Sequence, residues 1–273
     1  MLDNLLKQGG FNDLLHGKHG YFLYNKNDLY VGKSMALYGE WSEPEVDLFK
    51  EICHPGDTVI EIGSNIGTHT IPLAKMVGML GYVYAFEPQR ILYQALCANI
   101  ALNSLTQVEA FQVAVSCEAG VAVLPNFDYT KEDNFGGARA CGHGRGIAVT
   151  QVALDEFSSL SLHSLRLLKT DAETMELGIL KGAHALIAKY RPIMYLENEG
   201  KREELIAHVQ SLGYTVYWHV VPLFNPHNFS GLKHNLLGNY ASFNILCVPR
   251  EVAYAPSTQF GMKLIMCATD TPW

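Results

Sequence analysis

Several things are scarce in this chain, and each scarcity removes a class of function. Lys and Arg number 20 against 27 Asp and Glu, a formal net charge of −7. No basic run interleaved with aromatic residues occurs, so the sequence gives no support for nucleic-acid binding. The six cysteines (Cys53, Cys97, Cys117, Cys141, Cys247, Cys267) show neither a C-x-x-C pair nor zinc-type spacing. Several lie in apolar segments, where cysteine behaves as a small buried hydrophobe. The apolar stretches are interrupted by Lys75 and other polar residues, which argues against a membrane span. No charged segment followed by an apolar one and a cleavage site opens the chain, and a cytoplasmic location is expected. What remains is ordinary globular composition, 48% hydrophobic and 17% charged over 273 residues, enough for one large domain with extensions.

The organising stretch is Thr58-Val-Ile-Glu-Ile-Gly-Ser-Asn-Ile-Gly-Thr68. Val59, Ile60 and Ile62 read as a strand buried on both faces. The glycine turn leads into a helix over 68–77, in which Pro72 is tolerable only within the first turn. A strand, a glycine turn and a helix N-terminus set backbone N–H groups around a polar ligand. A second strand over 82–86 ends in Glu87-Pro88, and an acidic residue at that point can accept both hydroxyls of a ribose. The dinucleotide pattern G-x-G-x-x-G is not met, because Asn65 and Thr68 stand at its second and third glycine positions.

Around this unit the chain reads as alternating strands and helices. Ahead of it, 21–24 and 29–31 read as a hairpin turning at 25–28, and Ser42 with Glu45 has capping-box spacing for the next helix. Behind it come a helix over 89–103, a strand over 108–115, a strand over 165–170 and a helix over 174–187. Then follow a strand over 192–196, a helix over 201–212 and two late strands, 214–218 and 242–247. The late pair lacks an intervening helix, so the last strand should run antiparallel in an open α/β sheet. The expected organisation is an N-terminal extension over 1–50, a core over 51–250 with an insertion at 117–150, and a loosely held tail over 251–273. The glycine-rich stretch 135–146 reads either as a lid or as a decorative hairpin.

These segments together resemble the FkbM-type methyltransferases. The resemblance is carried by Tyr38-Gly-Glu-Trp-Ser, by residues 59–72, and by Ala85-Phe-Glu-Pro-Gln, Asn99-Ile-Ala-Leu-Asn103 and Asn134-Phe-Gly-Gly. Leu154-Asp155, Leu168-Lys-Thr-Asp-Ala-Glu173, Leu180-Lys-Gly-Ala183, Arg191-Pro192, Tyr195-Leu-Glu-Asn198, Tyr217-Trp-His219, Pro222-Leu-Phe-Asn-Pro226 and Asn228-Phe also match. It implies the seven-stranded class I, Rossmann-like sheet, S-adenosylmethionine as cofactor, and O-methylation of a small molecule, sugar or natural product. N-methylation of a peptide or amine, and a non-catalytic cofactor-binding module, are the alternatives. Two departures stand out: Glu61 where the family commonly has Asp, and Thr174 where Asp-x-Glu-Gly is usual.

The expected cofactor contacts are Tyr38, Glu61, Gly63, Ser64, Asn65, Gly67, Thr68, Glu87, Pro88, Ala114, Val115 and Asp171. Methyl transfer needs an aligned nucleophile and an acceptor for its proton. Asp171, Glu173, Glu197 and His219 are the candidates for that proton. Asp171 with Glu197-Asn198 also resembles the magnesium site of catechol-type methyltransferases, whose oxygen ligands would suit a hard cation. The metal-free route is preferred, because the metal reading rests on one spacing. The expected acceptor is a small molecule, glycan or peptide. Oligomeric state is not legible.

Overall fold

A computed structural model of the chain describes residues 10–139, 145–199 and 202–272. Its centre is an eight-stranded sheet in the order β13-β11-β12-β10-β9-β3-β4-β5. Five strands run parallel: β5 (Val108–Phe111), β4 (Tyr82–Phe86), β3 (Thr58–Ile62), β9 (Leu167–Thr170) and β10 (Ile193–Glu197). As expected, β12 (Ala241–Pro249) is antiparallel to its neighbours, β10 and β11 (Tyr214–Pro222). The chain moves outward from β3 to β5 on one side, then returns to β9 and β10 on the other. That reversal opens a crevice beyond the C-terminal ends of β3 and β9.

Helices cover both faces. On one lie α1 (Val31–Tyr38), α2 (Glu43–Ile52), α3 (Thr70–Val77) and α4 (Arg90–Leu102), which pack Met35, Phe49, Leu73 and Leu92 with Val59, Leu167 and Tyr195 of the sheet. On the other lie α5 (Glu176–Lys181), α6 (His184–Tyr190) and α7 (Arg202–Ser211), whose Ile179, Leu186 and Ile206 pack with Ile60, Leu168 and Met194. Alternate strand residues therefore serve different layers, as the pleat requires.

Four expectations need correction. The N-terminal hairpin pairs β1 (Asn12–Gly17) with β2 (Gly20–Asn25), and residues 29–31 are not its second strand. Asp28 takes the Tyr30 amide at 2.9 Å, and the chain turns into α1 at Val31. The strand expected over 108–115 divides: β5 stays in the main sheet, while β6 (Ala114–Val115) joins β8 (Ile147–Val152) and β7 (Gly120–Leu124) in a separate three-stranded sheet. The helix expected over 174–187 breaks into α5 and α6 around Gly182. A Cβ at Gly182 would strike the Ser116 carbonyl, and Asp155 accepts the Ala185 and Leu186 amides at 2.8 and 2.9 Å to start the second piece. The tail contributes an edge strand, β13 (Lys263–Ile265), with Ile265 only 3% exposed, and Asp270 accepts from the Trp218 indole at 3.1 Å.

The insertion is also tighter than a free lid. Phe135 is fully buried, its carbonyl takes Gln89 Nε2 at 2.7 Å, and Tyr129 donates to Gln89 Oε1 at 3.1 Å. Asn25 and Asn27 both donate to the Tyr129 carbonyl, which ties the insertion to the N-terminal hairpin. Residues 140–144 of the glycine-rich stretch lie outside the described residues.

Candidate active site

A cavity of about 440 Å³ occupies the crevice at the strand reversal. Its floor begins at the β3 turn. Gly63 has φ +79°, and any Cβ there would collide with the Asp171 carbonyl, so glycine is required both by conformation and by close approach. The Gly63 and Ser64 amides donate to the Phe86 carbonyl at 2.9 and 3.0 Å, holding the turn against the end of β4. Asn65 follows at φ +51°, a left-handed position that asparagine tolerates. Its amide donates to Glu87 Oε2 at 2.9 Å, and Gln89 N donates to Glu87 Oε1 at 2.8 Å. Each oxygen of Glu87 thus keeps accepting capacity, and the residue is 4% exposed on the cavity wall. Burial pushes its carboxyl up to about 7, and those two amides oppose the shift.

The second wall is a buried charge cluster. Glu61 and Lys169 line it, and Tyr195, buried behind them, stands beside Lys169 on the next strand. Lys169 is 1% exposed, with Asp171 Oδ2 at 3.4 Å and Glu61 Oε1 at 3.8 Å. Burial works against its charge, but Asp171, Glu61 and Glu45 outweigh burial and hold the amine above its ordinary pKa. Glu61 also accepts from Thr70 Oγ1 at 2.5 Å. The longer carboxylate therefore bridges the strand to α3.

The third wall is acidic and aromatic. Glu173, Glu197 and Glu199 line it with Tyr30, Trp41 and Tyr240. Burial, then Asp171 and Glu173, drive the Glu197 carboxyl up to about 10, and its Oε2 is buried without a partner. Glu173 rises to about 7 through burial, Asp171 and Glu199, with Arg139 at 4.0 Å opposing.

Most of the expected site residues meet here: Glu61, Gly63, Ser64, Asn65, Thr68, Glu87, Pro88, Ala114, Val115, Asp171, Glu173 and Glu197 all line the cavity. Four do not. Tyr38 is 1% exposed in the core, where its hydroxyl donates to the His234 carbonyl and accepts from Leu236 N, tying down the loop before β12. Gly67 turns at φ +89° beneath Leu96, a packing role. His219 is enclosed with Nδ1 at 2.8 Å from the Tyr195 hydroxyl, and burial lowers it to about 4. Asn198 is 1% exposed and both its amide atoms lack a partner. Asp171 and Glu197 line the cavity, and Asn198 does not. Among the described residues no group of three or more His, Cys, Asp or Glu side chains could hold a metal ion.

Sequence reasoning missed His69, Lys169, Gln89, Arg139, Tyr30 and Tyr240, which also line the cavity. Only Lys169 left a signal: a lysine inside an apolar strand needs a buried counter-charge. The others come from loops and helix starts whose placement is tertiary.

The architecture and cavity permit comparison with known proteins. The chain is similar to the FkbM methyltransferase of Methylobacillus flagellatus KT, at 15% identity over 74% of this chain and 50% of that one, with a TM-score of 0.45. It thus spans half the length of that relative. It is also similar to a precorrin-6y C5,15-methyltransferase from Geobacter metallireducens GS-15 (11% identity, 74% and 87% covered, TM-score 0.47). A SAM-dependent methyltransferase from Aquifex aeolicus gives 17% identity, 79% and 92% covered, and TM-score 0.43. A search of curated proteins returns no match. The model of the methyltransferase FkbM domain matches residues 61–216, more than half of the chain. The turn at Gly63, the acidic end of β4 and the crevice between them lie within that span, and the chain belongs to the FkbM methyltransferase family.

Proposed function

We propose that the chain methylates a hydroxyl of a small molecule, sugar or natural product. The observation that carries this reading is the pairing of the Gly63 turn with Glu87. Two amides fix the carboxylate, yet it retains acceptor capacity facing the cavity, as a ribose diol requires. Val113, Ala114 and Val115 offer an apolar slot beside it for adenine, and Asp171 sits across the turn where an ammonium group would be matched. When bound, S-adenosylmethionine supplies an electrophilic methyl group on a sulfonium.

The chain's own work is then to align the acceptor and manage its proton. Tyr30, Trp41 and Tyr240 present faces and edges against which a ring can lie. Glu197, raised to about 10, is held neutral and can donate to an acceptor oxygen as well as accept. A phosphate-bearing acceptor would meet Glu173 and Glu199 and is disfavoured. An amine acceptor would be held by the ionised members of this cluster in its charged, non-nucleophilic form, so hydroxyl methylation is the better-supported reading.

Isothermal titration with S-adenosylhomocysteine and with NAD tests the cofactor, and turnover of labelled S-adenosylmethionine against alcohols, sugars and amines tests the acceptor. Tight binding of NAD but not S-adenosylhomocysteine would overturn the cofactor assignment. Turnover with amines alone would overturn the hydroxyl assignment.

A further inference from the structure

His69 is the N-cap of α3, four positions beyond Asn65, and its ring lines the cavity at 3% exposure. Nε2 is sealed from solvent and has no hydrogen-bond partner. A buried nitrogen left unpaired costs about 1–3 kcal/mol, a cost that a phenylalanine or leucine packed there would not incur. The nearest acidic oxygen is Glu45 Oε2, 3.9 Å away on α2. Glu45 is itself oriented: Oε1 accepts from Ser42 Oγ at 2.7 Å and from Asn244 Nδ2 at 3.2 Å, which leaves Oε2 to the imidazole. Phe49 meets the ring edge-on, with centroids 5.6 Å apart and planes at 87°. A base, an acid fixed on one side of it and a cavity on the other is the arrangement that proton abstraction from a hydroxyl needs.

We propose that His69, positioned by Glu45, takes the proton of the acceptor hydroxyl. The inference rests on the methyl-transfer reading. In the proposed step Nε2, 3.9 Å from Glu45 Oε2, carries the ring hydrogen and Nδ1 holds the lone pair. The O–H electron pair stays on oxygen and forms the new C–O bond. The C–S pair leaves with sulfur, giving a neutral thioether, and the proton rests on the imidazole until solvent removes it after product leaves. Glu45 faces the imidazolium so formed. The groups around the ring favour its neutral resting state: burial, Lys169 on β9 and His19 in the hairpin turn all hold it well below its usual pKa. Glu45, raised to about 7 by burial, places Oε2 3.9 Å from Nε2.

The test compares two cofactor analogues and needs no acceptor. Sinefungin carries an amine on carbon where S-adenosylhomocysteine has only sulfur, so it places N–H donors at the reacting position. In the wild-type chain sinefungin should bind at least tenfold tighter than S-adenosylhomocysteine. His69→Phe keeps the ring packing against Phe49 and should erase that preference while leaving S-adenosylhomocysteine binding within about twofold. His69→Gln, whose amide oxygen accepts a hydrogen bond, should retain part of the preference. Glu45→Gln should reduce it less than His69→Phe. In 15N-histidine spectra of the wild-type protein, one ring nitrogen of His69 should shift with sinefungin and not with S-adenosylhomocysteine. An equal preference in wild type and His69→Phe, or equal spectra with the two analogues, overturns the assignment of His69. Failure of the wild type to bind either analogue overturns the cofactor reading beneath it, a distinct result.

Discussion

Replacing Thr174 by glycine should make the protein more stable. Glu173 and Thr174 are consecutive left-handed residues, at φ +51° and +78°. A β-branched residue is badly suited to that region, because its Cβ crowds the following carbonyl, at roughly 1–2 kcal/mol. Thr174 is exposed, so its side chain has little packing to lose. Against the relief stands the greater freedom of glycine in the unfolded chain, about 0.5–1 kcal/mol. The net expectation is a gain of about 1 kcal/mol, or a melting temperature raised by roughly 2–4 °C for a domain of this size. Thr174→Ala, which removes the branch but keeps Cβ, should gain less. Denaturant titration provides the measurement: the midpoint should move up with the slope unchanged. A Thr174→Gly protein less stable than the wild type would refute the strain argument, and would mean that the threonine is held by contacts that outweigh its conformation.

Glu87→Ala should weaken S-adenosylhomocysteine binding by about 1.5–3 kcal/mol, the scale of hydrogen bonds to a charged group. Because the Glu87 carboxyl sits near 7, wild-type affinity should rise between pH 6 and 8, and the alanine variant should lose that slope in the same titration. Glu45, Glu87 and Glu173 all have carboxyls raised to about 7 from the ordinary 4.5, so the folded chain binds more protons than the unfolded one between those values. Stability of the cofactor-free protein should therefore fall as pH rises through about 4.5 to 7, seen as a declining guanidinium midpoint; a rising one would contradict the burial of these acids. Tyr38→Phe should cost about 1–3 kcal/mol by stranding its partners, yet leave S-adenosylhomocysteine affinity unchanged by calorimetry. Amides of residues 136–139 should exchange more slowly once S-adenosylhomocysteine is added, since Gly136 to Arg139 line the cavity; unchanged exchange would detach them from the cofactor.

The parts of the site that could be read from sequence are those made by short-range chemistry. Residues 58–68 carry strand, turn and helix in one contiguous run, and Glu87 ends the next strand, so sheet pairing alone brings them together. The late strands were legible for the same reason, since β11 and β12 had no helix between them. Failures came where distant groups decide the local outcome. Asp28 turned a presumed strand into α1, and Asp155 capped α6 from another loop. Tyr38 and His219 belong to family motifs, yet their hydroxyl and imidazole are spent on internal hydrogen bonds. His69 was hidden because nothing local distinguishes a histidine facing a cavity from one packed in a core; only Glu45 and the empty space beside it do.

The row formed by Glu61, Lys169 and Tyr195 also bears on how the parallel strands find one another. Apolar strands such as β3, β9 and β10 are buried on both faces, so hydrophobicity alone discriminates weakly between one alignment and the next. Lys169 removes that ambiguity. A shift of β9 by one residue would turn its amine into the opposite layer, among Ile179, Leu180 and Leu186 and away from Glu61. An unpaired buried ammonium costs several kcal/mol, comparable to a large share of a domain's total stability. The lysine thus acts as a key that admits one alignment of three strands drawn from distant parts of the chain. Lys169→Met, which fits either layer, should fold with less discrimination and show additional slow or misfolded phases on refolding.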